Sequence, residues 1–174
     1  MRELDDFAVA GDTHVQTTAD KLWAVVSDIT LPVRFSSELK AVSWLEPATE
    51  VAVGAQFVGE NVNPQIGQWW TVSEVVDVEP ARMFGWAVLA FGGSDTVPAR
   101  TTGQPLVHWQ FVLTPDGDGV RLEHRMWLTG ERSGLHEAVE KNPERAVEIV
   151  AWRRAAVADG IDEMLRGIKA LAEA

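Results

Sequence analysis

Residues 106–130 read LVHWQFVLTPDGDGVRLEHRMWLTG. Two alternating runs flank Pro115-Asp116-Gly117-Asp118-Gly119, a cluster of turn-forming residues, and this pattern predicts a β-hairpin. Successive side chains of a strand point to opposite faces. On the first run Trp109, Phe111 and Leu113 therefore share a face, and on the second so do Val120, Leu122, His124, Met126 and Leu128. All of the second set but His124 are apolar, so that face is expected to be buried, with His124 directed into it.

Upstream, the pattern repeats. Residues 68–79 and 82–90 read as strands joined at Pro80, and Phe84, Trp86 and Val88 share parity on the second of them. Trp69 and Trp70 are adjacent and must face opposite ways. The reading takes Trp69 inward with Thr71, Ser73 and Val75. Trp70 then lies on the convex face, where an exposed indole calls for cover, and a homodimer contact is one source of it. Residues 54–63, GAQFVGENVN, set Phe57, Gly59 and Asn61 against Val58, Glu60 and Val62. LKAVSWLE, ending at Pro47, is a short strand, and the Gly/Pro/Ser/Thr-rich stretch 92–105 is a loop.

The flanks are of another kind. Residues 7–16 open the chain as a strand. Thr17 or Thr18 can cap a helix carrying Leu22, Val25, Val26 and Ile29, and Pro32 begins a second short helix near 32–37, with Asp28 as its candidate cap. From about residue 134 the period changes. Val147, Val150, Val157, Ile161, Met164, Leu165, Ile168 and Leu171 recur every three or four positions, one amphipathic helix of about seven turns. Pro143 sits at its start with Asn142 as candidate cap. The order is one strand, two short helices, about six strands and one long helix. Strands joined by short turns form an antiparallel sheet, and helices segregated from strands make an α+β domain. A sheet of six to seven strands curls. Only the long helix is large enough to cover its inner face, and a wedge is left between them.

With 174 residues, 46% hydrophobic and 24% charged, the chain fits a single domain over 1–174. Its net charge of −11 argues against nucleic acid and against an anionic membrane as partners. There is no cysteine, which removes disulfides and thiol nucleophiles. No apolar run approaches a membrane span and the acidic start is unlike a secretory signal, so a soluble cytoplasmic protein with no membrane insertion is expected.

The candidate chemistry is sparse. His124 is the candidate general acid or base, weighed against a core histidine bonded to the backbone. Asn61, over the space left by Gly59, can polarise or orient a ligand carbonyl. Phe57, Trp69, Ser73, Phe84, Trp86, Trp109, Phe111 and Met126 are the candidate cavity lining, Trp69 and Trp86 foremost. Ser73 has no base near it in sequence, which argues against a nucleophile. HEAVE at 136–140 lacks the second histidine of a metalloprotease helix, and FGGSD at 91–95 lacks the lysine and helix of a phosphate loop. No metal site and no cofactor are expected. Arg153 and Arg154 read as surface residues beside Trp152, with a ligand-facing arginine as the alternative.

The segments TADKLWAVVSDI followed by Pro32, AVSWLE, VGAQFVGENVNPQIGQWWTVSEVVDVEPARMFGWAV, VHWQFVLTPDGDGVRLEH and GIDEMLRGIKALAE together resemble the START/Bet v 1-like (SRPBCC) superfamily. Within it they are most similar to the bacterial polyketide cyclase/dehydrase and lipid-transport-like group. The resemblance spans nearly the whole chain. It implies a helix-grip fold, a curved sheet wrapped on the C-terminal helix with an apolar cavity beneath. The superfamily includes ligand carriers, aromatases and cyclases with no shared catalytic motif, so fold alone does not choose among them. Two functions are expected on these grounds. One is binding of a small hydrophobic, polyketide-, lipid- or sterol-like molecule. The other is cyclase, dehydratase or aromatase chemistry, with His124 as base and Asn61 on the carbonyl. A third, weaker reading is an interaction protein that uses Trp70 and the loop 92–105.

Overall fold

Alternation in the sequence becomes seven antiparallel strands in the computed structural model, which describes residues 2–174. They are β1 (Ala8–Val15), β2 (Leu39–Trp44), β3 (Gln56–Asn63), β4 (Gly67–Glu79), β5 (Met83–Gly92), β6 (Val107–Asp116) and β7 (Gly119–Leu128). The spatial order is β1-β7-β6-β5-β4-β3-β2, so β2 to β7 form a meander and β1 closes onto β7 from the far end of the chain. The register puts Trp86 opposite Trp109 and Phe111 opposite His124.

Among the described residues three α-helices precede or interrupt this run and two follow it. They are α1 (Arg2–Asp5), α2 (Ala19–Val26), α3 (Pro32–Phe35), α4 (Gly134–Lys141) and α5 (Ala146–Glu173). Thr18 caps α2 by accepting from the Lys21 amide. Asp28 does not cap α3. It accepts from the amide and hydroxyl of Thr30 in the turn before it, and the residue at the cap of α3 is Leu31.

The C-terminal helix begins later than its sequence period suggests. Pro143 disfavours helical backbone at the residue before it, and Asn142 accordingly leaves the helical region (φ −140°, ψ 64°). The segment breaks into α4, a 3-10 turn over Pro143–Arg145, and α5. Asn142 does not cap α5. Its side chain donates back to the Ala138 carbonyl and closes α4. Val147, placed on the apolar stripe by its spacing, is instead 68% exposed, while Val150, Val157, Ile161, Met164, Leu165 and Ile168 are buried.

α5 runs alongside β1. A methyl at Gly11 would touch Ile161 and Leu165, Arg154 donates to the Ala8 carbonyl and Lys169 to that of His14. Its closest backbone packing is on β1, with further contacts on β7, α1, α2, α3 and α4. At the far end Phe35 lies directly on Gly167, where a side chain would overlap its ring. The N-terminal segment seals an edge of the core with Leu4 and Phe7, and the Arg154 guanidinium covers the Phe7 ring at 4.5 Å.

The convex face is also covered in part. Trp70 lies there, over Gly92, and its indole N–H donates to the carbonyls of Gly93 (3.0 Å) and Thr96 (3.2 Å). Gln56 exchanges hydrogen bonds with the backbone of Thr101. The loop 93–105 is thus a strap folded back on the sheet, and the outward-facing Val72 and Ala87 are completely buried. The cover that Trp70 calls for comes from its own chain, so the indole supplies no argument for a homodimer.

Candidate functional site

The inner face between β2 and β7 is an aromatic wall. Trp86 is its hub. Its ring lies 5.8 Å from Phe84, 6.0 Å from Phe111, 6.2 Å from Trp109 (stacked, 12° between planes), 6.3 Å from His124 and 6.5 Å from Phe57. Trp44 extends the wall edge-on from Phe57, and Trp23 of α2 meets Phe84 edge-on at the other end. Such pairs each contribute about 0.5–1.5 kcal/mol beyond the area they bury.

The wall is not uniformly covered. Phe84 and Phe111 are sealed, whereas Trp44, Trp86 and Trp109 are only half-buried. The difference runs along the strands, since Phe84 and Trp86 share β5 and Phe111 and Trp109 share β6, with Trp23 of α2 packed on Phe84. On the helix side, a methyl added at Gly160 would meet nothing within 4 Å.

The polar groups on this face are few. The Ser73 hydroxyl, 2% exposed on β4, makes no hydrogen bond among the described residues. Thr71 and Asn61 follow on the same face, on either side of Gly59, with no side-chain partner among the described residues; Thr71 Oγ1 is 3.1 Å from where a Gly59 Cβ would stand. His124, 4% exposed, stacks on Phe111 at 4.1 Å and on Trp109 at 5.2 Å. Its Nδ1 lies 3.2 Å from the Gln110 carbonyl oxygen. Burial pushes its pKa down to about 4, against the opposing effect of the bond to Gln110. The ring is neutral at pH 7.

Among the candidates read from sequence, the structure gathers Phe57, Phe84, Trp86, Trp109, Phe111 and His124 into one surface, with Met126 opposite Trp109. Trp69 faces the same way, opposite Asn61, but its ring stands apart from this cluster. Asn61 and His124 lie on β3 and β7, four strand spacings or roughly 19 Å apart along the sheet. They cannot act on one carbonyl as base and polarising amide, and that pairing is corrected here. Ser73 is three spacings, roughly 14 Å, from His124.

Two features escape the sequence reading. Trp44 and Trp23 belong to the wall; the alternation of Val42 and Trp44 was the available sign for the first. The other is Arg153, which is not a plain surface residue. Its guanidinium forks onto Glu38 (2.7 and 3.2 Å), Asn63 donates to the same carboxylate at 3.1 Å, and both charged side chains are about one-fifth exposed (22% and 21%). This triad ties α5 to the β2–β3 side of the sheet. Partners 115 residues apart leave no local signal.

Elsewhere, His14 sits between Asp116 (2.9 Å) and Asp118 (3.3 Å), and Arg121 pairs with Asp12 and Asp116. Two shallow depressions, one beside Val147 and Ala151 and one over Ala8 and Ala10, lie outside the wedge. Among the described residues no cluster of three acidic or histidine side chains is placed to hold a metal, and no helix is long and apolar enough to cross a membrane.

No curated protein sequence matches the chain significantly. Solved structures do. A polyketide-cyclase-like protein from Corynebacterium glutamicum is similar over 97% of this chain and 92% of its own, at 28% identity and a TM-score of 0.64. The di-domain ARO/CYC from the steffimycin biosynthetic pathway is similar at 17% identity and a TM-score of 0.69, over 99% of this chain and 52% of that one. Major latex-like protein 151 from Panax ginseng shares the fold at 10% identity and a TM-score of 0.64, over 97% and 98% of the two chains. These likenesses agree with a Bet v 1-like helix-grip fold, and the polyketide cyclase / dehydrase and lipid transport family matches residues 6–173. The chain belongs to that family.

Proposed function

We propose that the protein binds a small, predominantly apolar molecule against the aromatic wall, between β3–β6 and α5. The observation that carries this reading is the pair of stacked, half-buried indoles at the centre of the inner face, Trp86 and Trp109. Central residues of a sheet roofed by a helix are ordinarily sealed, as Phe84 and Phe111 are. An apolar surface with a few polar groups, here Ser73, Thr71, Asn61 and His124, is the usual composition of a small-molecule site. The family's description, which includes lipid transport, supports the same class of ligand. The test is native mass spectrometry of freshly purified protein with organic extraction, followed by titration with 1-anilinonaphthalene-8-sulfonate. A stoichiometric extracted ligand, or dye binding lost in Trp86→Ala, is the expected result. A protein that carries nothing and takes up neither dye nor fatty acid would overturn it.

A cyclase reading has one observation of its own in its favour. His124 is neutral and faces the wall, as a base must, and a polyketide cyclase / dehydrase family with an ARO/CYC structural neighbour supports such chemistry. Turnover of a poly-β-ketone thioester that disappears in His124→Ala, in a variant that still folds, would favour it over simple binding.

A further inference from the structure

A carbonyl oxygen can only accept, so the proton between His124 and Gln110 belongs to Nδ1. In a neutral imidazole this leaves Nε2 with a lone pair and no hydrogen. Nε2 has no hydrogen-bond partner among the described residues. It is not sealed either, because no fully enclosed side-chain nitrogen or oxygen among them lacks a partner. Nε2 therefore keeps a little accessible surface within a residue that is 4% exposed. Its surroundings are the rings of Phe111, Trp109 and Trp86, at 4.1, 5.2 and 6.3 Å from the imidazole.

We propose that His124 Nε2 is an obligate hydrogen-bond acceptor that selects ligands with a hydroxyl donor on a flat apolar body, of the phenol class, over ethers, hydrocarbons and carboxylates. The proposal rests on the reading of the wedge as a ligand site and adds what that site prefers. A site built to bond a substrate hydroxyl rejects the analogue that lacks it far more strongly than a pocket rejects a missing methylene, because its own buried group is left unpaired. An ionised carboxylate carries only lone pairs and would meet another. No positive charge on the ring compensates, since burial keeps it neutral at pH 7. Nor does the net charge of −11 draw anions in. An alcohol or phenol O–H satisfies Nε2 while its ring stacks on Trp109.

The experiment compares 2-naphthol with 2-methoxynaphthalene, two probes with one ring system, by quenching of tryptophan fluorescence at pH 7.5 in the wild type and in His124→Phe. The wild type is expected to bind the naphthol at least about tenfold more tightly. His124→Phe is expected to bind the two within about twofold of each other. Equal binding by the wild type, or a preference that survives in His124→Phe, overturns the proposal and leaves the wedge reading standing. Binding of neither probe by the wild type overturns the wedge reading and the proposal with it. Imidazole ¹⁵N spectra of the wild type supply a readout that needs no variant. The His124 Nε2 resonance should be that of an unprotonated nitrogen and should move with naphthol but not with the ether. A proton on Nε2 in the free protein overturns the proposal directly.

Discussion

His124 carries a stability consequence as well as a chemical one. An exposed imidazole takes up its proton near pH 6.5, whereas the native ring does so only at about 4. Above pH 6.5 both states are neutral and the term vanishes from the balance. Between the two values the unfolded chain binds a proton that the native state refuses, so stability falls as pH drops through that window, by up to about 1.4 kcal/mol per pH unit. Urea unfolding at pH 7.5, 6 and 5 should show this loss in the wild type and a shallower one in His124→Phe. The carboxylates held low chiefly by side-chain hydrogen bonds, Asp116 by His14 and Glu140 by Arg132, act in a more acidic window and leave the difference between the two proteins intact. At this scale the sequence was readable where strands are regular. Period-two alternation alone turns Trp86, Trp109 and His124 inward. It reports a face and not a distance, so alternation alone does not separate Asn61 from His124.

Among the elements, α5 is the one whose details decide the site. Two of its glycines make opposite predictions. Gly160 faces open space, so Gly160→Ala should raise stability by up to about 1 kcal/mol through helix propensity. Gly167 lies beneath the Phe35 ring, so Gly167→Ala should lower stability by about 1–3 kcal/mol through overpacking, against the same propensity gain. Thermal unfolding of the two variants decides both. The Arg153–Glu38–Asn63 triad makes a further one. Removing either charge leaves its partner largely buried, so Arg153→Met and Glu38→Gln should each cost about 1–3 kcal/mol, and the double variant less than their sum. A double-mutant cycle by urea unfolding measures the coupling, and strict additivity would show that the bridge ties nothing. The existence and period of α5 were legible because one apolar stripe repeats from Val150 to Ile168. Its start was not, since the effect of Pro143 on Asn142 outweighs periodicity. The triad was not either, since nothing local in sequence joins residues 38, 63 and 153.

For the whole molecule, the order of strands follows the order of the chain except at one place, where β1 leaves β2 and pairs with β7. Short turns made the meander legible, while the return of β1 depends on tertiary packing and leaves no local sign in the sequence. The strap 93–105 belongs to this scale too, since it converts part of the outer face into a second buried layer. Trp70→Ala should free it, and trypsin should then cut after Arg100 markedly faster than in the wild type, with the remaining sheet intact. Cleavage at an unchanged rate would mean that the Gln56–Thr101 contacts suffice to hold it.

The position of α5 after every strand has a consequence for biosynthesis. β1 leaves the ribosome early and waits for its partner, with Ala8 opposite Trp127, until β7 has been made. The wall formed by Trp44, Phe57, Trp86 and Trp109 is complete before the helix that roofs it has been synthesised. Contacts this distant in sequence form slowly, and unroofed apolar surface invites association. A nascent chain halted before Ala146 should therefore be the most adhesive species in the life of the protein, and a chaperone that recognises aromatic surface would find its briefest and best target there.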